Sequence, residues 1–213
     1  LQARCSSKRF RNKSLYPING IPISILCAKR LTYKSNLRLI LATTKNRNDD
    51  YLVKLAKRFK INYFRGSEKD VFSRFIAISK KFDNKTTLIR ATADNPLTDS
   101  DFVKKCIKIY RKHKLDFFFP KQDYFNIPQG LNIELIRLGL LRKQPKTQKN
   151  KEHVTFSIKK KFDAKLIKKK FLKRKIKNIN YSIDYVQDYL KVKKLMEKFN
   201  TFEKWDKIIK NEK

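Results

Sequence analysis

The chain has 213 residues with 54 Lys or Arg against 19 Asp or Glu, a formal net charge of +35 at pH 7. Hydrophobic residues make up 40%, including 16 Phe and 9 Tyr, enough to fill the core of one domain spanning 1–213 and too much for a disordered polycation. The charge fits an anionic partner such as nucleic acid, a membrane surface or a phosphorylated ligand; equally, Lys, Asn, Ile, Phe and Tyr are what an AT-rich genome favours, with lysines on solvated faces.

Taken in chain order, helical and strand periods alternate. A basic opening, "LQARCSSKRFRNKSLYPINGIP", precedes a helical stretch after Pro22, with Pro22 suited to a first helical turn. The apolar run 37–44 predicts a buried strand, 49–59 a helix, 61–64 a second strand, and "EKDVFSRFIAISKKF" a second helix. Residues 86–92 read as a third strand, Asp99 as the cap of a helix to about His113, and 115–119 as a fourth strand. Residues 120–165 read as a small inserted subregion with some antiparallel pairing. Residues 179–185 predict a last strand, followed by an amphipathic helix and a short C-terminal one. The charge run 165–178 reads as a solvated helix face or strand edge. This alternation predicts an α/β fold with a mainly parallel sheet. Such a sheet starts with a buried strand feeding its first loop, yet only three residues precede the loop here. Several apolar residues are therefore expected upstream of Leu1.

Cys5, Cys27 and Cys106 are odd in number and form no CxxC pair, so they read as free thiols in a reducing compartment. Two histidines, His113 and His153, exclude a His-rich metal site. No apolar run approaches the ~18 residues that cross a bilayer, and the basic N-terminus lacks the apolar stretch of a signal peptide. The expectation is a cytoplasmic protein without membrane insertion.

Three stretches could carry chemistry. Read as strand end, loop and helix, the opening places Arg4, Ser7, Arg9 and Lys13 at the carboxyl edge of the sheet, where α/β folds bind ligands. Arg forks, a Lys point charge and Ser or backbone donors suit phosphate oxygens, although a solvated basic loop would look the same. Asp94, after the apolar strand "TLIRAT", reaches the same edge or simply forms a turn before Pro96. Asp184 closes the last predicted strand, with Asp188 one helical turn on, and either caps the following helix or faces the basic loop. Two carboxylates from separate strand ends would make an Mg²⁺ site, since Mg²⁺ takes one or two carboxylates and fills its shell with water and phosphates.

The opening resembles the "QARxxSxRLPGKxLxxIxGxP" pattern of the spore-coat polysaccharide biosynthesis protein F group, relatives of the acylneuraminate and Kdo cytidylyltransferases. The resemblance continues through "FRGSEKDVFSRF", "LIRATADNPLTD", "PQGLNIELI", "KEHVTFSI" and "YSIDYVQDY", in order along nearly the whole chain. It implies a nucleotide-diphospho-sugar transferase fold, a Rossmann-like three-layer sandwich, a homodimer, and transfer of CMP from CTP to an acidic keto-sugar with Mg²⁺. It implies that Arg4, Ser7, Arg9 and Lys13 bind the nucleotide and that Asp94 and Asp184 hold the metal, with Arg4, Lys13 and Asp94 catalytic. Arg90, Glu134, Glu152, His153 and Asp188 match further positions, Arg90 toward the nucleotide and the others as substrate contacts or core hydrogen-bonding groups. The departures are Arg11-Asn12 for Pro-Gly, Ser6 and Ala93 for glycines, and Asn132 for an acid. Lost glycines threaten close backbone approach to phosphate, so a drifted relative is a competing expectation, as is a basic nucleic-acid-binding protein.

Overall fold

The computed structural model describes residues 1–162, 167, 170–173, 175–176 and 179–211. Its centre is a sheet in the order β4 (Asn62–Gly66), β3 (Ile40–Thr44), residues 1–3, β5 (Thr87–Ala91), β7 (Ile133–Arg137), β6 (Phe117–Phe118). Gln2 bridges Ala42 on one side and Thr92 on the other, both in parallel. The short segment is pinned by Ala42 N–H to Leu1 O (2.7 Å), Gln2 N–H to Ala91 O (2.8 Å) and Ala93 N–H to Gln2 O (2.9 Å). β3 and β4 are also parallel, whereas β7 runs antiparallel to both β5 and β6. The sheet is thus mainly parallel, and the antiparallel pairing expected after residue 120 is β7, which lies between two strands of the main sheet.

Side chains alternate across the strands and divide the core in two. Ile133 and Leu135 of β7 and Phe118 of β6 join one cluster, packed under α1 (Ile23–Thr32), α2 (Asp50–Arg58), α4 (Ser100–Lys112), α9 (Val186–Met196) and α10 (Trp205–Lys210). Ile136 and Phe117 point the other way, into a smaller cluster with α3 (Val71–Ser79), α6 (Leu138–Arg142), α8 (Phe156–Lys161) and Val154, which follows α7 (Gln148–His153). The result is the expected three-layer α/β sandwich. Asp99 is the cap the sequence leads one to expect, accepting from Phe102 N–H at 2.9 Å ahead of α4. Helix α3 instead starts at Val71, inside the stretch read as helical from Glu68, behind Asp70, which accepts from Ser73 N–H at 2.8 Å. The second oxygen of Asp99 accepts Trp205 N–H at 2.8 Å, and Arg30, fully buried, lies 3.6 Å from it. One capping residue therefore also ties α1 and α10 together.

Some expectations shift. Pro22 falls just outside α1: it pairs with Pro17 in the small hairpin of β1 (Pro17–Ile18) and β2 (Ile21–Pro22), and the helix begins at Ile23. Residues 179–185 are not a strand. They make a single bridge, Asn180 to Gln129, and then follow loops: Tyr181 N–H donates to Gln129 O and Ile183 N–H to Asp94 O. The apolar pattern there reflects burial of Tyr181 and Ile183 against the core, which a strand and a loop-hugging segment satisfy equally. The charge run 165–178 lies largely outside the described residues. Among the described residues no helix is long and apolar enough to cross a membrane. Cys5, Cys27 and Cys106 are buried free thiols.

Candidate active site

Residues 1–3 and β5 end side by side, and the loop after each meets the other at the carboxyl edge of the sheet. The opening loop closes on itself through Cys5 O, which accepts Ser7 N–H and Asn12 N–H, both at 2.9 Å. Its base is fixed from below: Cys5 N–H donates to Asp49 Oδ1 at 2.7 Å. Asp49 is 1% exposed, and its other oxygen accepts from Thr43 Oγ1 (2.9 Å), Thr44 N–H (3.1 Å) and Thr44 Oγ1 (2.5 Å). Asn12, at φ +57°, turns the chain into a short 3-10 turn, Lys13–Leu15. Ser14 Oγ then ties back to Arg4 O at 3.1 Å.

Lys13 leaves this turn pointing inward. Its Nζ donates to Ile183 O (2.7 Å), Asp94 Oδ2 (3.1 Å) and Asp184 Oδ1 (3.3 Å), which uses all three ammonium donors. Asp184 Oδ1 also receives Arg9 Nη2 at 2.6 Å, while the Arg9 guanidinium lies 5.3 Å from the centre of the Tyr185 ring. The carboxylate of Asp184 raises the Arg9 pKa further above its ordinary value. Asp184 is positioned twice over. Ile183 N–H grips Asp94 O at 2.8 Å, and Asp188 Oδ2 accepts the N–H groups of Asp184 (2.9 Å) and Tyr185 (2.8 Å) at the start of α9. Asp188 is thus a cap that orients Asp184, turned to backbone donors.

Arg4 is exposed at the mouth of the loop. Glu68 accepts from Ser6 Oγ and from Asn46 Nδ2 (2.9 Å), and these bonds, helped by the Arg4 charge, hold its carboxyl below the ordinary range. Beneath them, burial and then the nearby Arg4 charge lower the Arg74 guanidinium to about 10. Ser7 belongs to the loop through its N–H bond to Cys5 O.

The remaining residues form a second cluster on the α3 face. The register places Arg90 opposite Glu134. Arg90 binds Glu134 Oε2 and Gln2 Oε1, both at 2.9 Å; Thr155 Oγ1 and Lys159 Nζ bind Glu134 at 2.8 and 2.5 Å. Burial opposes ionisation of Glu134, but Arg90 and Lys159 outweigh it and its pKa is lowered. Val154, buried and β-branched, is held at φ +55° between α7 and α8, a strained turn that delivers Thr155 to Glu134. Glu152 and His153 stand exposed at the end of α7, 4.0 Å from each other, and make no hydrogen bond or ion pair with the Lys13 cluster.

Sequence reasoning missed Asp49, Glu68, Thr155 and Lys159. Asp49 read as a helix start, and nothing in its spacing says that it reaches back to the first loop. The donor chemistry at the junction is all oxygen: two carboxylates and the Ile183 carbonyl surround one cation. That hard set fits Mg²⁺ completed by water and phosphate. Among the described residues no group of three or more His, Cys, Asp or Glu side chains converges, so a closed protein cage is not what this edge provides.

A basic loop and a carboxylate pair stand together at the carboxyl edge of a mainly parallel three-layer α/β sheet, the edge where such folds bind ligands. The sequence profile of the cytidylyltransferase family matches residues 1–211, and the chain belongs to that family. It is 37% identical over 159 residues to an uncharacterized protein of Methanocaldococcus jannaschii, a match taking in 73% of this chain but 63% of that protein. Spore coat polysaccharide biosynthesis protein SpsF of Bacillus subtilis is 26% identical over 211 residues, 93% of this chain and 85% of SpsF. Among solved structures, a cytidylyltransferase from Leptospira borgpetersenii superposes with a TM-score of 0.84 at 23% identity, covering 98% of this chain and 90% of that one.

Proposed function

We propose that the chain transfers CMP from CTP to a hydroxyl of an acidic keto-sugar, making a CMP-sugar for a surface polysaccharide or glycan. The hydroxyl oxygen forms a bond to the α-phosphorus, the bond from that phosphorus to the bridging oxygen breaks, pyrophosphate leaves, and the hydroxyl proton passes to solvent. The observation that carries this reading is the junction of Lys13 with Asp94 and Asp184 beside the opening loop. It sets a carboxylate pair that already holds a cation against a basic loop. A polycation that grips nucleic acid has no need of such a pair, and basic residues stand in the last turns of α1, α2, α4, α8, α9 and α10. Helix dipoles favour positive charge there whatever the partner.

Arg4, Arg9 and Lys13 would hold the triphosphate and neutralise charge growing on the leaving pyrophosphate, with Ser7 and loop N–H groups orienting it. Asp94 and Asp184 would hold Mg²⁺, which when bound polarises the phosphate oxygens. Asp188 keeps Asp184 aimed. The Arg90–Glu134 cluster orders the floor beside Gln2. With CTP, Mg²⁺ and a panel of keto-sugar acids the protein should release pyrophosphate, and Asp94→Ala should lower the rate by about 100-fold or more. Unchanged activity in that variant overturns the assignment.

A further inference from the structure

We propose that Lys13, assisted by Arg9, is a built-in counter-cation that keeps divalent metal off the Asp94–Asp184 pair until a nucleoside triphosphate arrives; this rests on the reading of that pair as the metal-holding carboxylates. The ammonium already occupies the place where the two carboxylates converge, with bonds of 3.1 and 3.3 Å, and Arg9 shares Asp184 Oδ1 at 2.6 Å. Two cations therefore balance two carboxylates. A hydrated metal ion arriving alone competes for the same lone pairs and faces both positive charges at close range.

The triphosphate changes that balance, because it brings its own negative charge and new acceptors for both side chains. Each can move. The Arg9 side chain is 55% exposed and, among the described residues, is braced by Asp184 and the Tyr185 ring. Lys13 is a compact charge on a flexible stem, and its 2.7 Å bond to Ile183 O keeps one donor satisfied while the other two turn from carboxylate to phosphate. Nucleotide and metal then bind with positive coupling, and by linkage each strengthens the other by the same factor.

The test is titration of nucleotide-free protein with Mn²⁺, following the free-ion electron paramagnetic resonance signal. Lys13→Met should bind Mn²⁺ on the order of tenfold more tightly than wild type, and the double variant Lys13→Met/Asp94→Asn should lose that gain. Arg9→Gln, altered at an exposed side chain that does not threaten folding, should tighten binding by a smaller factor and covers the case in which Lys13→Met does not fold. If wild type binds Mn²⁺ through Asp94 and both single variants bind no more tightly, the counter-cation role is overturned and the metal site stands. If no Asp94-dependent Mn²⁺ binding is found in any variant, nor in the ternary complex with a non-reacting α,β-methylene analogue of CTP, the metal reading falls and this proposal with it.

Discussion

Asp49 offers the sharpest link from packing to the proposed function, since one buried carboxylate holds the base of the opening loop. Asp49→Ala removes the acceptor for Cys5 N–H, Thr43 Oγ1, Thr44 N–H and Thr44 Oγ1 together. The threonine hydroxyls can rotate to other partners, but the two backbone N–H groups cannot. Leaving two buried N–H donors unsatisfied costs about 1–3 kcal/mol each, so a loss of about 3–5 kcal/mol is expected for Ala. Asp49→Asn keeps one oxygen for Cys5 N–H and turns an amide toward Thr44 N–H, which costs about 2–3 kcal/mol. Urea unfolding should show the midpoint falling in the order wild type, Asn, Ala. The functional readout separates a loop effect from general loosening. At a temperature where all three proteins are folded, KM for CTP should rise in the same order while the Asp94–Asp184 pair is untouched. An Ala variant with an unchanged unfolding midpoint, or one destabilised but with unaltered KM, would refute the claim that Asp49 positions the loop.

Two other sites give independent checks. Glu134→Gln breaks a carboxylate bonded by Arg90, Lys159 and Thr155, and should cost about 2–4 kcal/mol at neutral pH, less than a fully buried pair because Lys159 keeps some solvent. Folded Glu134 titrates below its unfolded value, so its contribution is complete above the unfolded carboxyl pKa of about 4.3 and is lost as pH falls through the folded value. Stability measured against pH should therefore have a flatter acid limb in the Gln variant, and an identical limb argues against the network. Gly130 has φ +94°, and a Cβ there would meet Ser182 N and Tyr181 C at 2.6 Å. Gly130→Ala should cost about 3 kcal/mol and displace the segment that carries Asp184, lowering pyrophosphate release in protein shown by circular dichroism to be folded; full activity would show that this approach does not place Asp184.

How far the sequence discloses this molecule depends on whether an interaction is local. Helices α3 and α4 are legible because their caps, Asp70 and Asp99, lie within three residues of the N–H groups they accept. Asp94 and Asp184 are legible as candidates because each follows an apolar run, and the carboxyl edge of a parallel sheet collects such ends, while Lys13 is legible as part of the basic opening loop. Their contact is not legible: it spans 81 and 171 residues and needs the loop fold that Asp49 imposes. The segment 179–185 shows the converse failure. Its burial is real, with Tyr181, Ser182 and Ile183 all buried, but only one bridge to Gln129 forms, because its later partner is the Asp94 loop and not a strand. The role of Asp188 is hidden for a related reason. A carboxylate three residues into a helix reads as equally suited to solvent, metal or cap, and only the bonds to Asp184 and Tyr185 N–H choose among them.

The departures from the resembled pattern bear on whether the loop can still work, and the backbone answers this position by position. A glycine is indispensable where φ is positive or where a Cβ would collide. Asn12 does stand at φ +57°, but asparagine is among the side chains that tolerate the left-handed region best, so the turn into Lys13 survives. Ser6 and Ala93 are not among the positive-φ positions. Ala93 continues the ladder through its N–H to Gln2 O, and Ser6 spends its added hydroxyl on Glu68. None of the three substitutions removes a conformation the loop requires. The one that changes chemistry is Ser6, which fastens the loop to the Glu68 side of the crevice, next to the Arg4 charge. A loop closed by Cys5 O, floored by Asp49 and tied laterally by Ser6 keeps the conformations its glycine-bearing pattern would ask of it. The departures therefore leave the proposed anion-binding role standing and give no structural sign of decay.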